Sequence, residues 1–148
     1  MKTNTVLLAY CGLYCGDCPA HTGEIADAAQ NLLDVLTKFK IDQLATIVFP
    51  KEFGDYATLQ KSLEFLRNAR CTTICRLRED TAVSCPIRKC CKNKGFFACH
   101  ECADFEGCEK IKTFMQGFHA EACIANLKSI KELGVESWLE KGNRLWFL

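Results

Sequence analysis

The chain has 148 residues, a formal net charge of +1 and twelve cysteines, and 49% of its residues are hydrophobic. That length suits a single domain with a modest core. The near-balanced charge gives no global pull toward nucleic acid or an acidic membrane surface. No apolar segment approaches the ~20 residues that span a bilayer, so no membrane partner is expected. The apolar run Val6-Leu7-Leu8-Ala9-Tyr10 falls short of the ~7–15 residues of a signal-peptide core. A cytoplasmic location is therefore expected, where clustered cysteines are metal ligands or redox groups more often than structural disulfides.

In chain order, residues 1–10 read as a short tail. Cys11, Cys15 and Cys18 follow, with Gly12 and Gly16 between them to let the backbone turn tightly. Pro19 keeps Cys18 from running straight on into helix. Thr22 is a candidate N-cap for a helix over about 23–39, whose stripe is Ile25, Ala29, Leu32, Leu33, Leu36 and Phe39. Asp42 is a candidate cap for a short second helix carrying Leu44, Ile47 and Val48 on one side and ending at Pro50. Asp55 caps a third, about 56–69, with Tyr56, Leu59, Leu63 and Leu66 in its stripe. Pro86 opens a helix that carries Ile87 to Lys92 and ends near Gly95. A helix resumes near Glu109 with Ile111, Phe114, Met115 and Phe118 on one face. The last long helix, about 120–133, uses Ile124, Leu127, Ile130 and Leu133 and stops at Gly134. Glu136 to Lys141 adds a turn or two that buries Trp138 and Leu139, and the apolar end from Leu145 to Leu148 can dock on the bundle or on another subunit. The pattern predicts an all-α fold: a small helical bundle with cysteine-rich loops.

Cysteine spacing carries the functional signal. Eight of the twelve lie between Cys71 and Cys108. Zinc and iron–sulfur clusters both take thiolates in fours, commonly from pairs close in sequence. Such pairs are Cys15/Cys18, Cys99/Cys102, Cys71/Cys75, Cys11/Cys15 and Cys85/Cys90, with Cys108 just beyond. The candidate metal ligands are thus Cys11, Cys15, Cys18, Cys71, Cys75, Cys85, Cys90, Cys99, Cys102 and Cys108. Zinc is the expected ion, and a four-iron cluster (4Fe-4S) is the alternative. The grouping into sites stays open: Cys71, Cys75, Cys85 and Cys90 can form one set, and interleaved sets fit equally well. Cys91 adjoins Cys90 and reads as packed or spare, and Cys123 falls on an apolar face as a core thiol. His21 and His100 lie near cysteines and can replace a sulfur ligand.

Eight basic residues, Arg67, Arg70, Arg76, Arg78, Arg88, Lys89, Lys92 and Lys94, accompany only Glu79 and Asp80 around this stretch. A nucleic-acid patch is one reading. The favoured one is charge compensation, because a four-thiolate zinc site is an anion that nearby cations stabilise. The spacing of Cys11, Cys15 and Cys18 matches that of radical S-adenosylmethionine enzymes, but the chain has no room for their barrel. Cys15 and Cys18 have dithiol spacing without the βαβ pattern of a thioredoxin-like enzyme.

Two blocks resemble the bacterial and archaeal family called domain of unknown function 3795. One runs from Cys11-Gly12-Leu13-Tyr14-Cys15 to Cys18-Pro19-Ala20. The other comprises Cys85-Pro86-Ile87-Arg88-Lys89-Cys90, Lys94-Gly95, Cys99-His100-Glu101-Cys102 and Cys108, and the segment Ile130 to Glu140 is similar too. The resemblance implies a small, cysteine-rich, metal-binding protein and implies no reaction. The expected role is a scaffold or binding module, with a protein partner possible. The alternatives are an iron–sulfur redox protein and a metalloenzyme with an open coordination position.

Overall fold

Helices make up the regular structure of the described residues, which in this computed structural model are 4–53, 55–78, 84–116, 119–141 and 143–146. They are α1 (Pro19–Thr22), α2 (Glu24–Lys38), α3 (Ile41–Ile47), α4 (Tyr56–Arg67), α5 (Pro86–Lys94), α6 (Glu109–Phe114), α7 (Ala120–Leu133) and α8 (Val135–Lys141), with short 3-10 turns between some of them. Among the described residues no strand forms, and one isolated bridge pairs Leu8 with Tyr14. The all-α expectation holds. The chain divides into two compact units: Met1–Gly16 together with Thr73–Leu148, and Asp17–Thr72. The first holds most of the cysteines and is called the cysteine unit below; the second is the inserted unit.

In the inserted unit, α2 packs on α4 through Ala29, Leu33 and Leu63, with Leu36 against them. Asp55 caps α4 as expected, its carboxylate accepting from the Thr58 N–H at 3.3 Å. Two other caps differ from expectation. Pro19 begins a helix rather than preventing one, because its fixed φ suits the first helical position. Thr22 is then the last residue of α1, its hydroxyl donating back to the Cys18 carbonyl, and Gly23 at φ 83° joins α1 to α2. Similarly α3 starts at Ile41 after Lys40 in a left-handed conformation, which leaves Asp42 in the first turn, where its charge complements the helix dipole. Burial on α3 falls on Ala45, and the expected inner residues Leu44, Ile47 and Val48 are exposed. On α2 the buried residues are Ala26, Ala29 and Leu33, whereas Ile25, Leu32 and Phe39 face outward.

The cysteine unit overturns the reading of residues 1–10 as a tail. Leu8 and Ala9 are buried, and Leu8 packs with Ile130, Trp138 and Leu139. The main core joins Ala9, Cys11 and Leu13 to residues from α5, α6 and α7. Pro86 and Gly95 bound α5 as the sequence predicts, Gly95 adopting φ 67° beyond its last turn. On α6 Ile111 is buried but Phe114 is exposed, and Phe118 lies outside the described residues. The chain end docks on α7: Asn126, 1% exposed, donates to the Leu145 carbonyl at 2.7 Å and accepts from its N–H at 3.0 Å. His119 Nδ1 lies 2.5 Å from the Trp146 carbonyl, with the two rings edge to face. Phe147 and Leu148 are outside the described residues.

Candidate functional site: a core lined with thiols

Helical periodicity decides which thiols α5 turns inward. Ile87 and Cys91 are one helical turn apart and both are 2% exposed, whereas Cys90 lies half-buried beside them. Past Gly95 the chain reverses, with the Phe96 N–H bonding to the Cys91 carbonyl at 3.0 Å. The Cys99 N–H then donates to the Tyr10 carbonyl at 2.9 Å, tying the 3-10 turn Cys99–Glu101 to the N-terminal segment. Arg76 reinforces that tie. Its guanidinium lies against the rings of Tyr10 and Phe97 and donates to the carbonyls of Leu8 and Phe97.

Five cysteines, Cys90, Cys91, Cys99, Cys102 and Cys108, line one cavity of about 30 Å³, together with Lys94, Lys110 and apolar side chains. The Sγ atoms of Cys91 and Cys99 are 3.4 Å apart. That is too long for a disulfide and near the ~3.8 Å edge of a tetrahedron with Zn–S bonds of about 2.3 Å. The hydrogen bond between the two holds the Cys91 thiol below its usual range, against the opposing effect of burial and with help from Arg76 and Lys94. The same bond, with burial, pushes Cys99 well up. Lys110 Nζ donates to Cys90 Sγ at 3.2 Å, which raises the lysine above its usual range.

A second group of thiols sits in the same core. Cys11 is pushed well up by a hydrogen bond to Cys123 and by burial. Cys75 is raised mainly by burial; the charges of Cys11 and Cys85 add to that, and a hydrogen bond from Arg88 opposes it. Arg88 is itself 3% exposed. A guanidinium so deeply buried requires anionic or strongly accepting neighbours. Gly12, at φ 92°, lets the chain pass close to α7 at Cys123 and Leu127.

The other predicted ligands are placed differently. Cys15 opens the 3-10 turn Cys15–Asp17 of the cysteine unit and is half-buried. Cys18 and Cys71 belong to the inserted unit, where Cys18 precedes α1 and the Cys71 N–H donates to the Ala20 carbonyl at 2.8 Å. None of the twelve cysteines forms a disulfide. Among the described residues, no three His, Cys, Asp or Glu side chains already stand close enough together to hold an ion.

The donor set nonetheless fits a thiophilic metal. Thiolate and imidazole are the ligands that zinc and iron–sulfur chemistry use. The cavity has room for a water-sized body, hence for one ion. Rotating a cysteine between χ1 wells moves its sulfur by about 3 Å. His100, beside Cys99, has a buried Nδ1 without a hydrogen-bond partner among the described residues, and burial lowers its pKa. His21 in the inserted unit has the same unpartnered Nδ1.

Cys91 and Cys123, which the sequence reads as packed thiols rather than ligands, are both buried. The signal for Cys91 was its i+4 spacing from Ile87, which places it on the buried face while Cys90 turns aside. Cys123 was recognised as a core thiol, but no pattern within α7 shows that Cys11 comes to meet it.

Fold and core together define a small all-α protein built around buried free thiols. More specifically, the model of the family described as "Protein of unknown function (DUF3795)" matches residues 7–113, and the chain belongs to that family. No curated protein and no solved structure matches it. Among the described residues no helix is long and apolar enough to cross a membrane.

Proposed function

We propose that the cysteine unit is a metal-binding module whose ion, zinc in the first instance, has a structural role in a scaffold or binding protein. The supporting observation is the convergence of five thiols from two segments on one ion-sized cavity. Cys91 and Cys99 would be the first two ligands, with the remaining positions filled from Cys90, Cys102 and Cys108. Lys94 and Lys110, which line the same cavity, would offset the negative charge of a four-thiolate site. Bound zinc would supply a crosslink between α5 and the loop from Cys99 to Cys108. In small zinc modules such a crosslink contributes of order 10 kcal/mol per site to the folded state. Cys11, Cys75, Cys85 and Cys123 would be a second set of thiols in the same core.

Metal analysis of protein purified without oxygen tests the proposal. The expected result is a colourless protein holding zinc in whole-number stoichiometry, with thiols that become titratable when a chelator is added. A brown protein with a broad visible shoulder would replace zinc by an iron–sulfur cluster on the same residues. Protein that is purified metal-free and fails to compete with a chromophoric chelator for added zinc ends the reading.

A further inference from the structure

Helix α2 carries two hydrophobic seams, and the fold uses one of them. The inner seam is Ala26, Ala29, Leu33 and Leu36, which are buried or half-buried, with Ala29, Leu33 and Leu36 packed beside Leu63 of α4. The outer seam is Ile25, Ala28, Leu32 and Val35, continued by Phe39 in the cap just past the last turn, and every one of these is exposed. Ile25, Leu32, Val35 and Phe39 are 42, 44, 49 and 60% exposed. Steps of three, four, three and four residues place them in one line, at the a and d positions of a heptad repeat. The line is about 21 Å long at 1.5 Å per residue. A solitary exposed leucine means little, but a complete unpartnered heptad seam is the surface of a helix meant to meet another helix.

The polar residues beside the outer seam say which helix that is. Its free flank consists of Glu24, Asn31 and Lys38, spaced seven residues apart and all exposed. Neither Glu24 nor Lys38 forms an ion pair among the described residues. We infer that α2 is a dimerisation helix whose occupant is the α2 of a second copy of this chain, running antiparallel. In that register Ile25 meets Val35 of the second copy, Ala28 meets Leu32, and Asn31 lies opposite itself on the two-fold axis. Glu24 then faces Lys38 of the other copy, twice over. The flank meets its own complement only in this antiparallel sense, since in a parallel pair each of its residues would face the position held by Ala29 or Leu36, which pack beside α4 instead. The contact belongs wholly to the inserted unit and needs no metal.

Sedimentation equilibrium of the full chain in excess reductant tests the inference, the reductant excluding disulfide-linked dimers. The wild type is expected to sediment at twice its 16.7 kDa mass in the micromolar range. Leu32→Glu should raise the dissociation constant on the order of 30-fold or more, with the helical circular dichroism unchanged because the side chain is already exposed. Glu24→Lys alone sets lysine against lysine at both ends and should weaken the dimer roughly tenfold. Adding Lys38→Glu to Glu24→Lys should restore the affinity to within about threefold of the wild type. A chain that is monomeric at high micromolar concentration overturns the inference. So does a dimer indifferent to Leu32→Glu, or one in which the double charge exchange fails to repair the single one.

Discussion

Replacing Gly12 by alanine tests how closely the N-terminal segment is fitted to α7. Two costs add. The backbone at φ 92° is one that L-residues avoid, at about 1–2 kcal/mol. The new Cβ would stand 2.8 Å from Leu127 Cγ and 3.1 Å from the Cys123 carbonyl oxygen. Leu127 is fully buried and cannot swing away, so overpacking adds roughly 1–3 kcal/mol. The total, about 2–5 kcal/mol, is a large share of the ~5–15 kcal/mol typical of a domain. Gly95→Ala is the matched control. It has a positive φ of 67° with nothing within 4 Å of the added carbon, so it should cost only the backbone part, about 1–2 kcal/mol. Loss of unfolded-state entropy is common to both variants and cancels in the difference. Both tryptophans, Trp138 and Trp146, lie in the same unit as the two glycines. Urea unfolding followed by tryptophan fluorescence therefore reads the right transition. The expected gap between the variants is about 1–3 kcal/mol. Equal destabilisation by the two would refute the close packing of Gly12 on α7.

Cys91→Ser should reduce zinc affinity more than Cys90→Ser does, because Cys91 forms the closest thiol pair with Cys99. Loss of an outer-shell partner alone costs about 10–100-fold, so loss of this ligand should exceed that in a chelator competition. Asn126→Ala removes two hydrogen bonds to Leu145 and leaves that residue's backbone groups wanting partners. Unfolding in urea should show a loss of about 2–4 kcal/mol. Asp55→Ala should destabilise α4 by ~1 kcal/mol, read from the helical circular dichroism of the inserted unit, and Asp55→Asn should recover most of it.

Helix positions were largely legible because Pro86, Gly95, Gly134 and Asp55 act through local chemistry that no tertiary contact countermands. Thr22 and Asp42 misled for a related reason. Both are good caps in isolation, but Pro19 and the left-handed Lys40 start helices one turn or two residues earlier and leave them no terminus to cap. The inner and outer seams of α2 could not be told apart in the sequence, because both are apolar at helical spacing and only α4 chooses between them. The burial of Leu8 and Ala9 was hidden too, since the residues that cover Leu8 come from Ile130 to Leu139. For the thiols, spacing pointed to the cluster on either side of Cys99. The packed reading of Cys91 holds, since the rotation of α5 buries it beside Ile87, but spacing could not bring Cys123 to Cys11 across more than a hundred residues.

The cysteine unit is discontinuous: its first sixteen residues are separated from the remainder by the fifty-six of the inserted unit. During synthesis, Cys11 emerges from the ribosome long before Cys123, Cys85 or Cys75 exists to meet it. The inserted unit, by contrast, is complete once Thr72 is made and can fold while the nascent strand lengthens. Through that interval the leading thiols are unsheltered, and only a reducing milieu or a transient chaperone keeps them from oxidising. Expressing residues 73–148 by themselves would yield a fragment lacking Leu8, Ala9 and Cys11, whereas residues 17–72 are the piece with a prospect of independent life.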